Sequence, residues 1–585
     1  MPDPARPNTE HSEPPAEQRL DSWKEIAAYL RRGARTVQRW EREQGLPVHR
    51  LGAGGQGQVF AYKSELDAWW RSRQSDLEPA SPAMRASQPR RWLMVGAAAS
   101  VLILAAGTYL VVRRAAPPAA EGPVALAVLP FQNLSGDPDQ DFFSDGLTEE
   151  MITQLARLPA DRLRVIARSS VMPYKGSTKT TEQIGRELGV THVLEGTVRR
   201  EGDRARITAQ LVRVKGQTHV WAESFDRELG GILAIQNEVA QAVARQIRLT
   251  LDASSAAHLA SPRPVKPEAL MAYLKGRHFW NRFTAEAFAQ ATELFQRATQ
   301  LDPTFARAWL GLSDCYRLRG SWWGDLPPKQ AFPPAKQAAL EALQRDPTLG
   351  EAHAGLGWIH FVFDWDWSQA ESEFKRGIQL TPNSRDTHGP YANFLRCMVR
   401  VEEARTHIEK SLAADPLSPL ELGEAALIYL YLGDTQRAGK LMQEALELDP
   451  EFPPSVWGVA ALRALAGKQA EAIAALEQAT RGPRPDRLSL TLLGSLYSRT
   501  GKTAEARKVL QSLLRHPEVG QLQIANLYLR LGDRQKALEW HERAFEERDP
   551  QMVWYAWAEP AFPLWNEPRF QTLLRRMNFP PGKPR

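Results

Sequence analysis

Residues 425–450 read AALIYLYLGDTQRAGKLMQEALELDP. Leu430 and Leu432 lead into Gly433-Asp434, Ala438 and Ala445 follow at helical spacing, and Asp449-Pro450 closes the run. Apolar positions on a helical period, broken by glycine and ended by proline, predict two packed helices. The same filling returns at Ala525-Asn526-Leu527-Tyr528, Leu531-Gly532-Asp533, Ala537 and Ala544, and again at Ala308-Trp309-Leu310-Gly311-Leu312 with Tyr316. Proline markers stand at Pro303, Pro347, Pro382, Pro416, Pro450, Pro517 and Pro550, with steps of 44, 35, 34, 34, 67 and 33 residues. The step of 67 is about two units, so the period is near 34. One helix pair cannot bury its apolar face alone, but a stack can.

This period and filling resemble the tetratricopeptide repeat. The resemblance covers about 268–550 and implies an all-α solenoid that takes a protein or peptide ligand. The 44-residue step carries about ten extra residues, among them Ser321-Trp322-Trp323-Gly324. Trp322 and Trp323 would suit a partner site if exposed and would pack on the array if folded back. Asp364-Trp365-Asp366-Trp367 reads as packing between helices, and Cys315 and Cys397 read as small core residues. Residues 551–585, including EPRFQTLLRRMNFP from Glu567, read as a C-terminal cap.

Ahead of the array, 124–252 alternates strand and helix signals. Val124–Leu129 (VALAVL) and Leu163–Ala167 are short apolar runs, and Thr180 with Gln183 forms a capping box. Three strands follow at His192–Arg199, Ala205–Val214 and Thr218–Phe225, with turns at Glu201-Gly202-Asp203 and Lys215-Gly216, then a closing helix near Ile232–Leu249. The segments AVLPFQNLSGDP, FFSDGLTEE, GVTHVLEGTVRR and AESFDREL resemble the TolB N-terminal-like (FlgO-type) domain. That resemblance implies a non-catalytic α/β module with a mixed sheet. Asp137, Asp139, Asp141 and Asp145 lack the glycine and terminal glutamate of a calcium loop and read as turn and cap residues. No motif pairs a base with Ser169, Ser170 or Lys175. No catalytic, metal or cofactor site is expected.

Trp92–Val112, WLMVGAAASVLILAAGTYLVV, holds 21 residues without a charge. As a helix of ~1.5 Å per residue it is long enough to span a bilayer, so a transmembrane helix is expected here, with linkers at 76–91 and 113–123. Arg85, Arg90 and Arg91 precede it and Arg113 and Arg114 follow, a bias of three to two toward an inside N-terminus. Gly96 and Ser100 form a small-xxx-small pair.

Residues 1–20 are rich in Pro and Glu and read as disordered. In 21–75, Ser22 and Glu25 open a helix with Trp23, Ile26, Ala27 and Leu30 on one face. A second helix, about Ala34–Gln44, has Val37 and Trp40 inward and Arg35, Gln38, Arg39 and Arg42 at i, i+3, i+4, i+7 outward. Arg and Gln are the side chains that read guanine and adenine edges in a major groove. Six arginines against Glu41 and Glu43 leave +4 within 31–50. Gly52, Gly54, Gly57 and Val59 match a kinase glycine loop, but no H-R-D or D-F-G follows. The better account is a β-hairpin, Val48–Leu51 with Gln58–Tyr62, then a helix at Ser64–Arg73 carrying Leu66, Trp69 and Trp70. The ordered set WKEIAAYL, RTVQRWE, GLPVHR and SELDAW resembles the winged helix-turn-helix of excisionase/MerR-like DNA-binding domains. It implies a duplex contact by Arg31, Arg32, Arg35, Thr36, Gln38, Arg39, Arg42, His49 and Arg50.

The whole chain has 585 residues, 74 Lys+Arg against 68 Asp+Glu, 43% hydrophobic residues and two cysteines. Those figures exclude a disordered chain, a multi-pass membrane protein and a disulfide scaffold. The expected fold class is multidomain: a small winged helix, one transmembrane helix, an α/β mixed-sheet domain and an all-α tetratricopeptide solenoid. The layout resembles ToxR/CadC-like membrane-anchored bacterial regulators. It implies an inner-membrane protein with a cytoplasmic N-terminus, periplasmic C-terminal domains, and double-stranded DNA and a protein or peptide as partners. A homodimer is the simplest coupling, since two half-sites read more DNA than one. The rival is a membrane-tethered repeat scaffold for envelope assembly.

Overall fold

Ser22 opens the first helix: its hydroxyl accepts from the Glu25 N–H at 3.2 Å, which starts α1 (Trp23–Tyr29). The Glu25 carboxylate reaches back to the N–H of Asp21 at 2.9 Å, one residue before the cap. A second helix, α2 (Ala34–Gln44), begins after Gly33 and stops at Gly45, whose φ of 67° is the left-handed value that ends helices. Strands β1 (Arg19–Leu20), β2 (His49–Leu51) and β3 (Gln58–Tyr62) form an antiparallel sheet in the order β1-β3-β2. His49 pairs Phe60 and Arg50 pairs Val59 across the hairpin, whose first strand starts one residue later than expected. Helix α3 (Lys63–Leu77) closes the unit. Ile26, Val37, Trp40, Leu46, Ala61, Leu66 and Trp69 form its core. The Trp40 ring lies 5.8 Å from Trp69 and 5.7 Å from Trp70. Strand β1 was not expected, because two residues carry no period.

This computed structural model describes residues 19–51, 58–77, 124–160, 162–247, 249, 264–321, 324–481, 487–515, 520–557 and 562–579. It divides into two units, Met1–Pro117 and Pro118–Arg585.

In the second unit, β4 (Val124–Val128), β5 (Gln132–Asn133), β6 (Leu163–Val165), β7 (His192–Glu201), β8 (Arg204–Arg213) and β9 (Thr218–Glu228) build one mixed sheet. Its order is β6-β4-β7-β8-β9, with β5 also on β7. The first three pairings, β4 with β6, β4 with β7 and β5 with β7, are parallel, and the two long hairpins are antiparallel. Helices α4 (Asp141–Ala156), α5 (Arg168–Val171), α6 (Thr181–Leu188) and α7 (Ile232–Gln246) accompany it. The capping box at Thr180 and Gln183 is complete.

Helix α4 is buried on nearly every side, acidic residues included. Sheet and α7 cover part of it, and the repeats cover the rest. The repeats begin with α8 (Pro267–Trp280) and α9 (Ala285–Leu301), then α10 (Ala306–Arg319) and α11 (Pro328–Arg345). Next come α12 (Gly350–Ile359) with α13 (Trp367–Leu380), α14 (Arg385–Cys397) with α15 (Val401–Ala414), and α16 (Pro419–Tyr431) with α17 (Thr435–Leu448). Three further pairs are α18 (Pro453–Leu465) with α19 (Gln469–Ala479), α20 (Arg487–Arg499) with α21 (Thr503–Leu513), and α22 (Gln521–Arg530) with α23 (Arg534–Glu546). Helix α24 (Pro568–Arg576) caps the end through Arg569 on Glu542 at 2.7 Å.

The α/β domain is tied to several repeats. Arg277 of α8 donates to Glu149 at 2.9 Å, and Asn281 donates to the same carboxylate at 2.9 Å. Arg307 of α10 pairs with Glu150. Asn383 donates to the Leu158 carbonyl at 2.6 Å, and Ser170 donates to Asp415 at 2.6 Å. The array also returns on itself. Trp365 is buried, with its ring 4.9 Å from Phe545 and the Arg548 guanidinium 4.0 Å above it. Trp367 donates to the Asn578 carbonyl at 2.6 Å. Cys315 and Cys397 are both buried and unbridged.

The expected fold class needs one correction, and with it the expected location. Among the described residues no helix is long and apolar enough to cross a membrane. What is seen beyond the first unit is a mixed-sheet domain and a long helical repeat region. The stretch Trp92–Val112 lies outside the described residues, so the transmembrane helix, the single-pass inner-membrane placement and the two-sided topology lose their support. The physical reason is that an uncharged apolar length measures only the capacity to span and is not by itself a membrane helix.

Candidate nucleic-acid interface

Helix α2 is aimed by its own two faces. Val37 and Trp40 are buried, which fixes the rotation of the helix and turns Arg35, Arg39 and Arg42 outward as exposed residues. Gln38 and Thr36 are half-buried beside them. Residues three and four apart stand one above another on a helix, so Arg35, Gln38, Arg39 and Arg42 form one stripe. Arg35 has no carboxylate partner among the described residues. Arg42 donates to the Gln38 carbonyl at 3.4 Å. Arg39 stands 4.0 Å from Glu43 with both side chains well exposed, a pair of little worth in water.

The turn before α2 adds two cations. Arg31 holds a left-handed φ of 48° and is exposed. Arg32 donates to the Arg31 carbonyl at 3.2 Å, with its guanidinium 5.8 Å from the Trp70 ring. The two expected contacts on β2 are placed differently. Arg50 pairs with Glu41 at 2.8 Å, and His49 meets Glu65 at 2.7 Å. His49 also stacks on Phe60 at 5.2 Å. These two are tied to other elements of the unit, while Arg39 and Arg42 have neighbours only within α2 among the described residues. Trp322 and Trp323 lie outside the described residues, as does the hairpin tip at 52–57.

Sequence reasoning missed the aromatic base of the hairpin. Arg19 sits 4.6 Å from the Phe60 ring, beside Tyr62 and His49. Alternation in QVFAY was the available signal for Phe60 and Tyr62. Tyr29 donates to Asp67 at 3.0 Å, and burial with that carboxylate raises its hydroxyl above the usual range. In the second unit, the singled-out acidic and serine residues are structural ties. Lys175 bridges Asp141 at 3.0 Å and Asp145 at 2.7 Å, and Ser169 and Ser170 both grip Asp415.

Residues 123–242 match the second domain of HilA/YgeH-like transcriptional regulators, the α/β part of this chain. Residues 424–487 and 522–551 match tetratricopeptide repeats. A putative adenylate cyclase 3 from Rhizobium meliloti is 40% identical over 197 residues, 34% of this chain and 33% of that protein. The transcriptional regulator HilA of Salmonella typhimurium is 25% identical over 293 residues, 50% of this chain and 51% of that protein. The chain thus spans about a third of the first and about half of the second. Among solved structures, Pseudomonas aeruginosa PilF is 21% identical with a TM-score of 0.30, covering 39% of this chain and 98% of that one. A monomeric IFIT1 mutant is 15% identical with a TM-score of 0.37, covering 54% and 89%. The chain carries a domain similar to the second domain of HilA-like transcriptional regulators, together with tetratricopeptide repeats.

Proposed function

We propose that this chain is a DNA-binding transcriptional regulator whose repeats bind a protein partner. The first unit is a winged helix that lays α2 in a major groove. The observation that carries the reading is the exposed stripe of Arg35, Arg39 and Arg42 on a helix whose rotation is locked by buried Val37 and Trp40. The likeness of 123–242 to a regulator's second domain supports it, and so does the partial likeness to HilA. Gln38 reads a base edge, Arg35 and Arg39 read guanine or hold phosphate, and Arg31 and Arg32 meet the backbone beside the groove. Arg50 and His49 brace the hairpin through Glu41 and Glu65.

The test is duplex binding by the full chain, read by fluorescence anisotropy against a random-sequence pool and the sites enriched from it. Binding should weaken steeply as salt rises, because each phosphate contact releases a counterion. Arg39→Ala should cost about 1–3 kcal/mol and relax selection at one base position. Failure to bind any duplex at low salt would sink the reading.

A further inference from the structure

A cavity of about 600 Å³ lies between the α/β domain and the repeats. Its walls come from α4 and α5 on one side and from α8, α10, α12 and the turns before α14 and α16 on the other. That volume falls within the range of small-molecule sites. Six arginines and six carboxylates line it, with no lysine or histidine, so its formal charge is zero. A balanced wall offers nothing to a multiply charged anion and suits a ligand that is itself balanced.

Two ion pairs cross the domain boundary, Glu149 with Arg277 and Glu150 with Arg307, while Arg385 lies 3.2 Å from Glu421 within the array. Besides Glu150 and Arg307, which face each other, four lining side chains keep a buried atom without a hydrogen-bond partner, Arg168, Trp280, Glu351 and Arg317, and the last two stand on the array with opposite sign. The Oε2 atom of Glu351, at the start of α12, is buried without a hydrogen-bond partner. The Nε atom of Arg317, on α10, is buried and unpartnered as well, although its Nη2 reaches Asp314 at 3.3 Å. Burial raises the carboxyls of Glu351 and Asp314 above the usual range against the pull of Arg157 on the first and Arg317 on the second, and a further cation beside them would lower both. Trp280, Phe283 and Trp358 supply an aromatic wall for an apolar side chain.

We propose that this cavity binds a small zwitterion with one ammonium and one carboxylate, a free amino acid or short peptide. Glu351 takes the ammonium and Arg317 takes the carboxylate. The ligand bridges α10 and α12, helices of two successive repeats, beneath the α/β domain. The site stands whether or not the first unit binds DNA.

The experiment is thermal melting of the full chain with free amino acids, dipeptides and tripeptides at millimolar concentration. Each is paired with its N-acetylated and C-amidated forms. At least one free compound should raise Tm, and blocking either end should abolish the rise. Glu351→Gln should make the acetylated and free forms equivalent, and Arg317→Gln should do so for the amidated form. Each substitution should weaken the free ligand by about tenfold or more. Circular dichroism checks that both variants fold; if either does not, the comparison of free and blocked compounds on the unaltered chain decides. The proposal is overturned if no compound raises Tm, or if blocked and free forms act alike.

Discussion

At the scale of single residues, three imidazoles set an acid limit, His388 and His541 buried and His407 half-buried. Burial pushes His388, His407 and His541 down to about 4, with His407 also lowering His388 across a 2.8 Å contact. The unfolded chain binds these protons near the ordinary value of about 6.5, and the folded chain does not. Their contribution is therefore whole above about pH 6.5, is lost as pH falls toward 4, and stays flat below. For His541, fully buried against Phe570, the loss is on the order of 3 kcal/mol. Glu421 runs the other way. Burial raises it to about 7 against the pull of Arg385, so its contribution is whole below about pH 4.5 and is lost as pH rises through 7. Denaturant midpoints measured from pH 4 to 7 should fall on acidification, and His541→Leu should flatten that slope by about one proton. At Gly196 a Cβ would come within 2.8 Å of the Thr208 carbonyl and of the Phe131 ring. Gly196→Ala should cost about 1–3 kcal/mol in the same assay, since neither neighbour can retreat cheaply.

At the scale of elements, α2 shows how a small core directs a surface. Trp40 is the pin, packed on Trp69 and Trp70. Trp40→Ala should cost about 3–5 kcal/mol, enough to unfold so small a unit and abolish duplex binding. Arg39→Ala should lose binding with the circular dichroism of the unit unchanged, which separates contact from support. Both faces of α2 were readable, because the 3.6-residue period sorts them directly. The ion pairs of His49 and Arg50 were not. Their carboxylate partners lie on other elements, Glu65 on α3 and Glu41 on α2, and no spacing rule links them. The long strands β7, β8 and β9 were legible from alternation and glycine turns, whereas β5, two residues long, was not.

At the scale of the second unit, the repeats are less one-dimensional than a solenoid suggests. Charges on α4 meet arginines on α8 and α10, and the chain end at 545–579 packs against Trp365 and Trp367. Removing one partner of a buried pair leaves the other charge stranded, at a cost of about 3–5 kcal/mol. Arg277→Ala should therefore speed amide exchange in α4 and α8, while α18 to α21, whose core is separate, keep their protection.

The sequence by itself determined the repeat period, the strand and helix order of the α/β domain, and the outward arginine stripe of α2. These rest on local periodicity, which operates within a few turns of backbone. Tertiary structure alone decided the burial of Glu149 and Glu150, the return of the array onto Trp365, and the cavity in which Glu351 Oε2 and Arg317 Nε are buried without hydrogen-bond partners. Each of these joins residues from separate elements, in most cases far apart in the chain. Such contacts depend on how much each repeat rotates on the last, and that rotation is set by packing rather than by composition.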